Sequence, residues 1–410
     1  MFYRMSGIAA LVLLILLIGS CGNNNNSGHD DRMGDDDTGN NFNVNYSLSD
    51  PNTMVPSDFL QQDIIDQTAN NNLDIVMHDS KLFFVFRTAP SHFASTKTNL
   101  YVISSEDEIN WVLETNFSYG TDLREPRFLS FNGHLFLYFA VLGNNPTDFE
   151  PQGIMCSEYQ DHSNWTEPEW IYKPGFIAWR TKVIDGIPYM LAYKGGENIY
   201  DFNGKPMEVH WLTTKDGRNW KPVIPGQPSV LTGGGSETDF VFLDDGSLIA
   251  VSRNEEGDKT GWGSKICRAD PDSLGDWQCV HDPRKYDSPL VFRHGQDIYL
   301  IGRRNVTADG NYDLGYNTLP IFLQTLLYEA DYWFHPKRTS LWKINPKSLE
   351  VSFIMDFPSK GDTCFPGLVP LNENEYLIYN YTSPLDGPDV FWLQGQLGPT
   401  LIYSIRLKIE

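Results

Sequence analysis

The stretch Thr214-Lys215-Asp216-Gly217-Arg218-Asn219-Trp220 decides the fold, because it recurs. Ser105-x-Asp107-x-x-x-Trp111 repeats it without the Gly, Asp161-x-x-x-Trp165 keeps its Asp and Trp, and Asp272 with Trp277 is a worn fourth copy. The pattern has a structural meaning. An Asp side chain accepts the backbone N–H groups of a tight turn, and a Trp a few residues on packs between sheets, so each copy closes a hairpin. A second marker is a turn at Ser80, Gly133, Gly186, Gly246, Gly295 and about Asn374. Each is followed by a buried-type run, such as Leu82 to Phe86, Leu135 to Phe139 or Leu248 to Ser252. The two markers advance in phase, in steps of roughly 50 to 60 residues. The last step is longer because of residues 305–338, where Leu319 to Phe334 reads as a helix inserted between strands. Six units of four short strands imply a radial or stacked all-β repeat, either a propeller or a solenoid.

Composition supports a folded core and narrows the partners. Of 410 residues, 40% are hydrophobic and 13% aromatic, while 53 acidic side chains face 31 basic ones for a net charge of −22. Such a chain has no broad electrostatic grip on nucleic acid or on an anionic membrane surface. Its acidity serves solubility. Residues 1–21 carry Arg4, an apolar run from Ile8 to Ile18 and the ending Gly19-Ser20-Cys21, which reads as a secretory signal rather than a membrane span. The ending resembles a bacterial lipobox, which implies lipidation of Cys21 and leaves the membrane touched through the lipid anchor only. Residues 22–56, rich in Asn and Asp, read as a disordered linker, and residues 57–410 as the repeat domain. The Asp clusters of the linker lack the spaced ligands of a calcium loop. The expected location is the bacterial cell envelope, at the outer membrane or cell surface. In an oxidising compartment Cys267 and Cys279, which flank a short loop between two strand-like runs, are placed for a disulfide, whereas Cys156 and Cys364 read as buried thiols. No zinc spacing, nucleotide loop or cofactor motif is present, so neither metal nor cofactor is expected.

The marker Thr214-x-Asp216-Gly217-x-x-Trp220 matches the Asp-box, and Asp-boxes in phase with six four-stranded units resemble the sialidase superfamily of six-bladed β-propellers. The resemblance covers about residues 70–410. It implies a monomeric enzyme, exo-sialidase-like, acting on an extracellular or periplasmic glycan. In a propeller, first strands begin and second strands end on one face, opposite the turn markers. Polar residues gather at those positions: Arg87, Arg253 and Arg303 end second strands, while Arg124-Glu125-x-Arg127, Arg180, Glu237-x-Asp239, Asp287 and Asp362 lie where first strands begin.

Arginines converging on one mouth suit an acidic group on a sugar, since guanidinium binds planar anions with fixed geometry. Their other reading is as ties between blades. The expected substrate-binding set is Arg87, Arg127, Arg180, Arg253, Arg303 and Asp362. The segment from Ser236-Glu237 to Arg253 resembles the family stretch that supplies a Glu and one arginine of a carboxylate-binding triad, with Arg303 where another would fall. Blade six departs from the family. Phe365 stands where the nucleophilic Tyr is expected and has no hydroxyl to form an aryl glycoside. The first strand of blade one also lacks the family's arginine. Glu237 or Asp287 is therefore expected as general acid or base, with His92 as proton-transfer partner. The alternative function is an inactive propeller that binds glycans or a protein.

Overall fold

In a computed structural model, residues 44–57, 60, 63–145, 149–161, 163–194 and 206–410 are described. They form six antiparallel sheets arranged in a ring, a six-bladed β-propeller. The first strands stand around the axis, at Ala69–His78, Leu123–Phe131, Phe176–Ile184, Gly235–Phe242, Asp287–His294 and Gly367–Pro370. Each is followed outward by its second strand, beginning with Lys81–Ala89 in blade one and His134–Val141 in blade two. These second strands are covered on both faces, which is why Leu82 to Phe86 and Leu135 to Phe139 read as unbroken apolar runs. Tight turns join first to second strands through left-handed pairs, Asn132 and Gly133 at φ 52° and 77° in blade two, Asp185 and Gly186 at 51° and 75° in blade three. These conformations favour Asn, Asp and Gly, hence the visible markers.

The hairpin signals divide into those that close a turn and those that do not. Asp107 accepts the backbone N–H groups of Ile109 (2.9 Å) and Asn110 (2.7 Å), and Asp216 those of Arg218 (3.0 Å) and Asn219 (2.7 Å). Their Trp residues pack onto the preceding blade. Trp220 meets Tyr138 of blade two at 5.7 Å between ring centres, and Trp111 meets Tyr379 of blade six at 6.5 Å. In blade four Trp277 makes the corresponding contact with Trp211 of blade three, at 6.2 Å, but the turn is a 3-10 segment, Pro271–Ser273. Blade five uses an Asn instead: Asn345 accepts from Lys347 (2.9 Å) and Ser348 (3.1 Å).

The linker reading of residues 22–56 needs correction at its end. Tyr46–Leu48 and Asn52–Val55 are strands, and both pair with Leu401–Ile409, the last strand of the chain, as the outer edge of blade six. Met54 and Val55 are fully covered there, so the ring is closed by the joining of the chain's two ends. The expectation for residues 1–21, including Cys21, lies outside the described residues. Cys267 and Cys279 face each other on adjacent strands of blade four and are joined by a disulfide, while Cys156 and Cys364 are buried thiols.

Two insertions cover one mouth of the ring. Helix α1, Ile321–Trp333, lies between the second and third strands of blade five, at the place read as a helix from sequence. Helix α2, Trp392–Leu397, occupies the equivalent place in blade six. They meet through Trp392, whose ring centre is 5.3 Å from Tyr332 and 5.7 Å from Trp333.

Candidate functional site

The strands that start near this mouth are not regular there. In blades one, two, four and five the pairing of first with second strand slips by extra residues, at Asn71/Leu73, Arg124/Arg127, Gly235/Thr238 and Asp287/Leu290. Bulges of this kind re-aim a side chain. One residue from each of these slips, Asn72, Glu125, Glu237 and Ser288, lines a cavity of about 150 Å³ beneath the insertions. Three hold left-handed backbone, Asn72 at φ 41°, Glu125 at 49° and Ser288 at 54°. A non-glycine in that region carries strain that the surrounding fold must hold.

Glu237 is a strongly perturbed acid of the cavity wall. One oxygen accepts the Ser288 backbone N–H at 2.6 Å and the other meets Arg253 at 2.9 Å. Burial pushes its carboxyl up to about 7, against the pull of Arg253 and with help from Asp287 and Glu125. It is therefore protonated in about half of the molecules at pH 7 and mostly protonated below it. Arg253 also reaches Glu255 at 2.9 Å and donates to the Ser236 hydroxyl at 2.8 Å.

His92 arrives from the loop after the second strand of blade one, and its backbone N–H is held by the carbonyl of Gln396 on α2 at 3.1 Å. Its Nδ1 bonds Asp362 Oδ2 at 2.5 Å, and Nε2 has no hydrogen bond among the described residues. Asp362 in turn accepts the Tyr381 hydroxyl at 2.9 Å and the Trp392 indole N–H at 3.0 Å. Burial lowers the His92 pKa below its ordinary value although Asp362 opposes the change, so the ring is neutral at pH 7. A neutral imidazole oriented by a carboxylate through Nδ1–H leaves Nε2 as an acceptor. Burial works to raise Asp362 as well, but His92, Arg303 and the Tyr381 hydroxyl hold it ionised.

The structure thus brings Glu237, His92, Arg253 and Arg303 to one cavity. Asp287 and Asp362 stand behind the wall rather than in it. Asp287 meets Arg303 at 3.1 Å and accepts the Tyr332 hydroxyl. Although burial works to raise it, Lys285, Arg303 and Arg253 keep it ionised, which makes it a poor proton donor. Three of the expected arginines lie elsewhere. Arg87 is sealed between blades one and two, bonded to Asp122 at 2.7 Å and to the carbonyls of Ser91 and Phe93. Arg127 sits below the floor, its guanidinium 4.3 Å from the Phe365 ring centre and 4.8 Å from that of Trp179, so that Phe365 and Arg127 plug the channel. Arg180 faces the larger vestibule of about 1010 Å³ on the opposite side of that plug and pairs with Asp239 at 3.5 Å. Strand position placed these residues near the axis; the bulges and the plug decided which mouth each one faces.

Sequence reasoning missed three contributors. Glu125 was visible only as the neighbour of two arginines, and the indoles of Trp333 and Trp392, on α1 and α2, line the cavity from insertions that no repeat pattern describes. Of the two tyrosines near the expected nucleophile position, Tyr379 is packed against Phe84 at 4.9 Å, far from chemistry, whereas Tyr381 lines the cavity. Burial raises the Tyr381 pKa well above its ordinary value, so its hydroxyl stays protonated. Among the described residues no cluster of His, Cys, Asp and Glu could hold a metal ion.

A ring of six four-stranded blades with a polar cavity at one mouth defines a sialidase-like six-bladed β-propeller. No family model and no curated protein matches the sequence. Solved structures do match. A protein of unknown function from Dyadobacter fermentans superposes with a TM-score of 0.58 at 13% identity, over 89% of this chain and 99% of that one. Trypanosoma rangeli sialidase in complex with the inhibitor DANA gives 0.55 at 11% identity over 83% of this chain, and the same enzyme in complex with sialic acid gives 0.55 at 11% over 88%. This chain corresponds to 55% and 58% of those two sialidase chains. At such identities the likeness defines the fold.

Proposed function

We propose that the chain is a glycan-cleaving enzyme, a glycoside hydrolase working as a monomer in the bacterial cell envelope, held by a lipidated Cys21 and acting on an extracellular or periplasmic glycan. The observation that carries the reading is Glu237, a buried carboxyl in the cavity wall whose pKa is pushed up to about 7, on the same cavity as a neutral His92 oriented by Asp362. Groups whose environments set one as a proton donor and the other as an acceptor at one pH form an acid–base pair. Glu237 protonates the departing glycosidic oxygen while His92 Nε2 takes a proton from the attacking water. The C–O bond to the leaving sugar breaks as the bond to water's oxygen forms, and no enzyme-bound sugar is needed. That route fits a site with Phe365 at the expected nucleophile position and a Tyr381 hydroxyl kept protonated by burial. The solved complexes of the similarly folded T. rangeli sialidase with DANA and with sialic acid support a glycan as the ligand.

Arg253 and Arg303 support the machinery more than they advertise a ligand, because each is already matched to a protein carboxylate. That occupancy favours a second reading, a propeller that binds glycans without cleaving them. Incubating the purified chain with sialosides, uronic-acid glycans, sulfated glycans and neutral or amino oligosaccharides separates the two. Turnover that falls by about 10²- to 10⁴-fold in Glu237→Gln supports the enzyme. Binding without product from any of them sinks it.

A further inference from the structure

Resting on the glycan reading of this cavity, we propose that it takes a non-acidic sugar, neutral or amino, which presents a hydroxyl or ammonium donor to Glu125. The carboxyl of Glu125 reaches the cavity from the bulge in blade two and is only 8% exposed. Its Oε2 is buried and has no hydrogen-bond partner among the described residues. A buried carboxyl oxygen without a donor costs free energy that a bound donor returns.

The surrounding charges point the same way. Asp122 is shared between Arg87 and Arg124, Arg253 lies between Glu237 and Glu255, Arg303 answers Asp287, and Lys285 stands between Glu255 and Glu329. Asp362 has the neutral His92 as its partner, and Glu125 lies in the field of Arg127 and Arg124 without a close ion pair among the described residues. Each of Arg87, Arg124, Arg253, Arg303 and Lys285 is thus already matched to a protein carboxyl group. A carboxylate or sulfate on the ligand would find none of these cations free and would meet the donor-less Oε2 of Glu125 instead of satisfying it. A hydroxyl or ammonium instead supplies the missing donor. The Trp333 and Trp392 side chains in the cavity wall give a sugar ring an apolar face to lie on, which requires no charge.

The test is binding of the full chain to an array of neutral, amino and acidic oligosaccharides, followed by titration calorimetry with the best-retained glycan. Retention of neutral or amino glycans is expected, with affinity reduced about tenfold or more in Glu125→Gln and less in Glu125→Asp. The Gln variant should melt at or above the wild-type temperature, because an amide replaces a buried carboxyl whose Oε2 has no donor to lose. Preferential retention of acidic glycans, retention of none, unchanged affinity in Glu125→Gln, or a lower melting temperature overturns the proposal. Its failure is separable from failure of the enzymatic reading. A chain that binds neutral glycans through Glu125 but cleaves nothing sinks only the enzyme, and one whose Glu237 cleaves an acidic glycan sinks only this inference.

Discussion

Replacing Glu237 by Gln removes a charge that the fold holds at a cost, and the cost sets a measurable number. In the folded chain burial lifts this carboxyl from 4.5 to about 7, with Arg253 opposing and Asp287 and Glu125 adding. At about 1.4 kcal/mol per tenfold change in proton affinity, that rise corresponds to about 3 kcal/mol. The folded chain keeps the proton to higher pH than the unfolded chain does, so its stabilising contribution is complete below about 4.5 and is lost as pH rises through about 7. Gln keeps an oxygen for the Ser288 N–H and another polar atom near Arg253, yet does not titrate. Urea unfolding of both proteins between about pH 4.5 and 8 should therefore show the variant gaining about 3 kcal/mol on the wild type as pH rises. Carboxyls that do not interact with Glu237 cancel in the difference, while Asp287 and Glu125, which do, modulate its size. A difference that stays flat across that range refutes the raised pKa, and with it the case for Glu237 as a proton donor at neutral pH. If the difference is found, wild-type turnover should also fall as pH climbs past about 7, where Glu237 loses its proton.

Asp362→Asn should lower kcat by about 10²-fold or more with little change in KM, because it unsettles the Nδ1–H bond that orients His92; NMR titration of His92 should show its pKa falling further, as the carboxylate that raises it is gone. Deleting residues 44–56 uncovers the edge of blade six, where Met54 and Val55 are buried, and should cost about 3 to 6 kcal/mol in urea unfolding at about 1.5 to 3 kcal/mol for each buried side chain. Cys267→Ser with Cys279→Ser should cost about 2 to 3 kcal/mol under oxidising conditions and nothing under reducing ones; equal loss in both would show that packing, not the cross-link, is responsible.

The repeat was legible because turns and hairpins are local. Asp216 and Trp220 declare their roles within seven residues, and Gly133 or Gly186 stands where the backbone turns left-handed. Arg253 and Arg303 were placed by their fixed distance after such a marker, as was Arg87, which is sealed elsewhere, while Glu237 and His92 were placed by strand position and the family resemblance. What the sequence hid depends on pairing between distant strands. Whether Glu125 points into the cavity is settled by a slip of register against the second strand of blade two, and no residue at that site signals it. Arg180 has the same strand position as a site residue would, yet it stands at a register slip in blade three and faces the far vestibule, across Phe365 and Arg127 from the cavity. Tyr46–Leu48 and Asn52–Val55 are too short and too polar to stand out from an Asn-rich tract, and they become strands only because Leu401–Ile409 offers an open edge.

That borrowed edge has a mechanical side. Asn45 and Glu410 exchange two backbone hydrogen bonds, of 2.8 and 3.0 Å, at the extreme end of the seam. A pull on the chain ahead of Asn45, such as a membrane anchor would exert, loads this pair first and peels the seam one bond at a time instead of shearing all its bonds together. Peeling yields at low force. The strand most exposed to tension is thus the latch of the whole ring, and traction on the chain ahead of Asn45 would open blade six before disturbing any other.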